Sequence, residues 1–251
     1  MAIGDKRPVV MEADRAAAGG IATLGADGKL LDAQIPGLDK LGAAPAGYGL
    51  GGYAAVLDAV DINTVRQNGW YRLLSNCTNA PTTSDGVSSC SGALLEVIGS
   101  TTSYVTEQRI YLGTASQQGR MLRRFYNNVT QVWQPWEWIN PPMKEGVEYR
   151  TTERYLGKPV YVKVIDFGAL PAATYKGVSH GVSDVDKMFP PYGQTSDNWS
   201  IPTKSYGGSM NDTVGTTVDV TMSKTDIYIN TDRDRSSATA TVVIKYTKTT
   251  D

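Results

Sequence analysis

Histidine occurs once in this 251-residue chain, at His180, and cysteine twice, at Cys77 and Cys90. That scarcity removes most catalytic constellations. A Ser-His-Asp triad would have to be built on His180, and no serine stands in a Gly-x-Ser-x-Gly context. A zinc centre of the usual His/Cys type would need all three residues plus a carboxylate. His180 with Asp184 and Asp186 could meet a cation, but such a grouping is more often a solvated loop, so no metal and no cofactor is expected. Gly49-Leu50-Gly51-Gly52 has the glycines of a phosphate loop without a strand before it or a helix start after it. Cys77 and Cys90, if oxidised, would close a loop of 14 residues, worth roughly 3 kcal/mol by chain entropy. The catalytic set is therefore read as empty.

Binding chemistry is better supplied. The chain holds 14 Tyr and 5 Trp against 3 Phe, so rings with a polar handle dominate. Trp133, Trp136 and Trp138 could form a stacking platform, although packing is the commoner use, and a spacing of three puts Trp133 and Trp136 on opposite faces of a regular strand. Trp70 and Tyr71 face opposite ways for the same reason, one of them toward a core. The loop Pro190 to Trp199 combines Tyr192 and Trp199 with Gln194, Asp197 and Asn198, residue types that stack on a sugar and hydrogen-bond its hydroxyls. Asp232, Arg233, Asp234 and Arg235 form a second polar tip of alternating sign. These nine residues are the candidate binding set.

What must hold them is β structure. Twenty-four Lys plus Arg against 25 Asp plus Glu give a net charge of −1, so nothing draws the chain to nucleic acid. No apolar run approaches the roughly 20 residues that span a bilayer, and Met1 to Pro8 lacks the apolar stretch of a secretory signal. Residues 1–53 are rich in Gly and Ala, with a helix-length stretch at 8–18 and a hairpin turn at Ala26-Asp27-Gly28-Lys29. Ordering such a segment costs about 1 to 2 kcal/mol per residue, more than one copy of Ile21, Leu24, Leu30 and Ile35 can offset. Three copies around one axis would bury them mutually.

Residues 54–143 hold short strand-like pieces, 69–74, 93–98, 104–111 and 121–126, bounded by turn residues. Residues 144–251 show period-two alternation: Val160, Val162, Val164; Val218, Val220, Met222; and Ala238, Ala240, Val242, Ile244, Tyr246 on one face of a long last strand. The expected fold is mainly β, with an extended trimeric amino-terminal segment (1–53), an antiparallel β knob domain (54–143) and a carboxy-terminal β-sandwich (144–251).

Three resemblances bear on this reading. Gly20-Ile21-Ala22-x-Leu24-x-Ala26-Asp27-Gly28-Lys29 with Gln34-Ile35-Pro36 resembles a pattern repeated in bacteriophage tail fibres. The middle segment resembles the pyocin-knob domain of phage and tailocin fibres. It does so through Asn68-Gly69-Trp70-Tyr71, Asn79-Ala80-Pro81, Gly92-Ala93-Leu94-Leu95, Gln108-Arg109, Arg120 and Trp133-x-x-Trp136. The loop with the two cysteines departs from that pattern. The runs Glu153 to Tyr161 and Ile165 to Pro171 resemble carboxy-terminal domains of tail proteins from phages and prophages of gut bacteria.

The resemblance implies a homotrimeric, receptor-binding virion subunit. It would be assembled in the bacterial cytoplasm, joined to other tail or baseplate proteins through its amino terminus, and would attach to a bacterial surface glycan. Such a part matures in a reducing cytosol and works outside it, so both redox states of Cys77 and Cys90 stay open. A tailspike-type polysaccharide depolymerase would need two carboxylates about 5 to 9.5 Å apart, usually on a repeating β-helix for which no period is visible. A cellular carbohydrate-binding adhesin would call for a signal peptide.

Overall fold

In a computed structural model of the chain, residues 53–99, 106–114, 117–205 and 216–251 are described. The chain divides into two units at Tyr53/Ala54, of which the second, Ala54–Asp251, holds almost all of the described residues. The hairpin, attachment and trimerisation readings of 1–53 lie outside the described residues.

The second unit is built from strands, with no α-helix among the described residues. Its first part runs β1 (Ala55–Leu57), β2 (Gly69–Leu73), β3 (Leu94–Gly99), β4 (Thr106–Tyr111), β5 (Met121–Asn127), β6 (Val132–Trp133) and β7 (Glu137–Trp138). The second part runs β8 (Glu148–Tyr155), β9 (Lys158–Ala169), β10 (Tyr175–Ser179), β11 (Val185–Met188), β12 (Tyr192–Thr195), β13 (Ser200–Ile201), β14 (Thr203–Ser205), β15 (Thr216–Met222), β16 (Asp226–Thr231) and β17 (Thr239–Lys248). One long sheet follows the order β1-β2-β3-β4-β5-β7-β8-β9-β17-β12-β13, with β6 on β5 and β11 on β17. A separate four-stranded sheet follows β10-β16-β15-β14. Pairing is antiparallel except at β1 with β2 and β7 with β8.

The alternation read in the last strand is what packs the sandwich. Ala240, Val242, Ile244 and Tyr246 are buried and meet Val218, Ile227 and Ile229 of the small sheet. A second core gathers Leu73, Leu95, Ile110, Leu122, Trp136 and Trp138 behind the first strands. β9 serves both: Tyr161, Ile165 and Phe167 enter the sandwich core, while Val162 enters the other. This explains why β9 is apolar on both faces rather than amphipathic. The packing does not break at 143/144, since the first core draws on residues beyond it. Tyr149 lies in the first core, its ring edge-on to Trp138 with centroids 5.6 Å apart, and β7 pairs with β8.

Candidate functional site

The five tryptophans sort by what their indole N–H does. Trp133 Nε1 donates to the Asn63 carbonyl at 3.0 Å, Trp136 to Asn79 at 3.2 Å and Trp138 to Asp85 at 2.6 Å. Each ring thereby pins a distant loop into the first core. Pro135 separates β6 from β7, so the opposite-face expectation for a continuous strand fails. Both rings instead turn onto one cation, with the Arg124 guanidinium 4.4 Å from the Trp133 centroid and 4.3 Å from that of Trp136. Gln108 Oε1 accepts from Arg124 Nε at 2.9 Å and Nη2 at 2.7 Å, and Gln108 Nε2 donates to the Ile62 and Val65 carbonyls at 2.7 and 2.8 Å. Burial pushes the Arg124 guanidinium down, against the opposing pull of Asp61 and Asp85. These rings are staples, in keeping with packing as the commoner use of the Trp133–Trp138 run. Sequence reasoning missed Arg124, although Gln108, Trp133 and Trp136, all singled out, converge on it.

Trp70 and Trp199 differ: among the described residues neither indole N–H has a partner. Trp199 stands in the turn between β12 and β13, half-buried. That turn is held by Thr195, whose amide donates to the Trp199 carbonyl at 2.8 Å and whose Oγ1 accepts from the Trp199 amide at 3.0 Å. Asn198 sits at φ +66°, a left-handed conformation that asparagine tolerates better than most residues.

The loop drawn from the sequence at Pro190 to Trp199 is thus shorter than expected, because Tyr192–Thr195 forms a strand on β17. A Cβ at Gly193 would meet the Thr241 carbonyl oxygen at 2.2 Å, so only glycine lets the two strands approach this closely. Tyr192, 48% exposed, and exposed Gln194 consequently stand on a strand face, opposite Val243 and Thr241.

The structure joins the two polar tips that are 33 or more positions apart in sequence. Arg235 Nη2 donates to Asp197 Oδ2 at 2.6 Å, and its guanidinium lies 5.0 Å from the Trp199 ring centroid. The Thr195 hydroxyl, and then Arg235, hold the Asp197 carboxyl below the usual carboxylate range. Around them, the Ser196 amide donates to the Thr239 carbonyl at 2.8 Å, and Ser196 Oγ accepts from the Thr239 amide at 3.0 Å. The Arg235 amide donates to the Pro171 carbonyl at 3.1 Å, and the Arg233 carbonyl accepts from Ala173 at 3.0 Å. Asp234 accepts from the Ser236 amide and hydroxyl at 2.9 and 2.7 Å, which lowers its pKa, and Asp232 is exposed. Asp197, Trp199 and Arg235 are therefore a preassembled cluster. Tyr192 and Gln194 stand apart from it on β12, and Asn198 and Asp234 shape the backbone.

The remaining candidates come apart or are spent. His180 is 1% exposed and turned inward, its Nδ1 accepting from the Val182 amide at 3.2 Å, while Asp186 pairs with Lys158 at 2.7 Å. Cys77 and Cys90 are free thiols: Cys77 donates to the Leu57 carbonyl at 3.2 Å and Cys90 to that of Pro81 at 3.3 Å. Burial pushes the Cys90 thiol up to about 12. A cleft of about 410 Å³ beside Arg150, Arg154 and Lys158 is charged but internally neutralised. There Glu137 takes both arginines, Asp251 pairs with Arg150, and Asp186 holds Lys158.

No protein-family model and no curated protein matches the chain. Among solved structures it is similar to an N-truncated R2-type pyocin tail fibre, with 9% identity, a TM-score of 0.29, and coverage of 78% of this chain and 98% of that one. It is similar also to a carboxy-terminal portion of the R2 pyocin fibre of P. aeruginosa, with 8% identity, a TM-score of 0.29, and coverage of 78% and 67%.

Proposed function

We propose that this chain is a structural and adhesive subunit of a phage-type tail fibre, which attaches to a bacterial surface glycan through the turn cluster of its carboxy-terminal half. The observation that carries the reading is the joining of Asp197, Trp199 and Arg235 into one preassembled cluster, in which Asp197 is exposed and Trp199 and Arg235 are half-buried. Its indole N–H is unspent, and its ion pair is already formed. A site ordered before binding loses little freedom when a flexible sugar lands on it. The resemblances at 20–36 and 68–136 supply the fibre context. In that context the chain is a homotrimer of a virion tail, made in the bacterial cytoplasm and joined to neighbouring tail or baseplate proteins by residues 1–53. Threefold repetition turns weak sugar contacts into durable attachment.

Binding without hydrolysis fits the commitment of carboxylates in the carboxy-terminal half to cations: Glu137 to Arg150 and Arg154, Asp251 to Arg150, Glu148 to Lys248 and Glu153 to Lys245. The test is attachment of the intact chain to host cells and to isolated envelope polysaccharide, with reducing ends assayed in the same incubation. Attachment that Arg235→Ala and Asp197→Ala each weaken by about tenfold or more, about 1.4 kcal/mol, without new reducing ends supports the proposal. Attachment untouched by both variants, or reducing ends that vanish in a single Asp or Glu variant, overturns it. Light scattering on the full chain reports the trimer, and a monomer at micromolar concentration removes that part.

A further inference from the structure

The outward face of the first strands carries a regular array. Register sets Trp70 opposite Glu96 and Glu96 opposite Arg109; in the next row Arg72 stands opposite Leu94 and Leu94 opposite Tyr111. Directly opposed residues of adjacent strands share a face, and all six are exposed or half-buried. Tyr71, which alternates with them, packs on the first core. The Trp70 and Tyr111 rings meet across β3 with centroids 5.4 Å apart and planes inclined at 37°, an open shelf rather than a closed stack.

The shelf is braced from below. The Tyr111 hydroxyl donates to Glu96 Oε2 at 2.9 Å, and Arg109 reaches Glu107 at 2.8 Å and Glu96 at 3.6 Å. Those contacts fix the ring; two carboxylates share the one Arg109 guanidinium, so the anchoring charge for an anion has to come from outside them. Two groups stay uncommitted among the described residues: the Trp70 indole N–H, and the exposed Arg72 guanidinium, which has no hydrogen bond, ion pair or ring contact. Other described arginines are engaged, from Arg66 on Asn128 and Tyr126 to Arg235 on Asp197 and Trp199.

We propose that this shelf is a second glycan contact, taking an anionic sugar residue with its apolar face on Trp70 and Tyr111 and its carboxylate or phosphate on Arg72. The proposal rests on the adhesive reading above. Its chemistry follows from the groups themselves. Aromatic rings with a polar edge accept the apolar face of a pyranose, and a planar guanidinium with no prior carboxylate offers a bidentate fork to an anion. Strand spacing of about 4.8 Å puts Arg72 and Tyr111 roughly 10 Å apart in backbone position, enough to seat a sugar between them.

The test uses the intact chain on an array of uronate-bearing, phosphate-bearing and neutral oligosaccharides, at low and high salt. Arg72→Gln is expected to lower binding to the anionic class by about tenfold and to flatten its salt dependence. Trp70→Leu is expected to abolish it, and Trp199→Ala to leave it in place. The array separates a carboxylate from a phosphate as the preferred anion. Arg72→Gln lies on the surface and keeps the melting temperature, so its result stands even if Trp70→Leu folds poorly. Undiminished anionic binding in Arg72→Gln overturns the inference. Glycan binding that only Trp199→Ala removes leaves the adhesive reading intact and eliminates the shelf, whereas a wild-type chain that binds no glycan of any class removes both.

Discussion

Trp133, Trp136 and Trp138 lie within eleven residues after the end of β5 and donate every indole N–H to a backbone carbonyl, whereas among the described residues Trp70 and Trp199 keep theirs unpartnered at the surface. The two regions use the same side chain for opposite ends. In the first, a ring buys burial and closes a long loop with one directional bond. In the second, the ring is backed by a guanidinium or a tyrosine and left half-open. The fate of the polar handle, more than exposure alone, separates a tryptophan that holds the fold from one available to a ligand.

The sharpest way to break that comparison is to remove an inner ring. Trp138 is 1% exposed, and Trp138→Ala is expected to cost about 3–5 kcal/mol, which urea denaturation measures; a loss under about 1 kcal/mol would place it with the outer pair. Arg124→Met comes next, because it empties the space between two rings and leaves Gln108 Oε1 buried without its donor. About 2 kcal/mol of stability should disappear. Arg124→Lys should restore only part of it, since an ammonium cannot lie flat between two indoles.

His180 sharpens the interior side further through pH. Burial, first of all, lowers its pKa below the ordinary 6.5, with nearby Lys163 acting in the same sense and Asp226 opposing. Below pH 6.5 the unfolded chain therefore binds a proton that the folded chain refuses. Stability is full above that value and falls as the pH drops through the depressed pKa. The lowered carboxylates Asp61, Asp186 and Asp197 add their losses only below 3.8. With a single histidine in the chain, His180→Gln should flatten the acid limb just below pH 6.5 in thermal melts, and an unchanged limb would assign it to other groups.

Much of the fold was legible because β alternation is a local signal. Ala240, Val242, Ile244 and Tyr246 declare their face by period two, and the structure buries each of them. The strands at 69–73, 94–99 and 121–127 likewise follow from apolar runs between turn residues. Long-range matters were not legible. Nothing local tells that β9 faces two cores, that Tyr192–Thr195 pairs with β17, or that Arg124 fills the gap between Trp133 and Trp136. The candidate site was half legible: residue types pointed to Asp197, Trp199 and Arg235 as two separate tips. Their union depends on where two distant turns land, and the hydrogen bonds from Ser196 to Thr239 decide that.

The smallest change in stability and the largest in attachment are expected at the outer ring, so the most direct measurement pairs Trp199→Ala with Trp136→Ala. Melting temperature and host-cell attachment per folded molecule are read on the same samples. The account predicts that Trp136→Ala loses several kcal/mol of stability and keeps its attachment when folded. Trp199→Ala should lose less than about 1.5 kcal/mol and about tenfold or more in attachment. A Trp199→Ala chain that melts as early as Trp136→Ala while its folded fraction attaches like the wild type would contradict it.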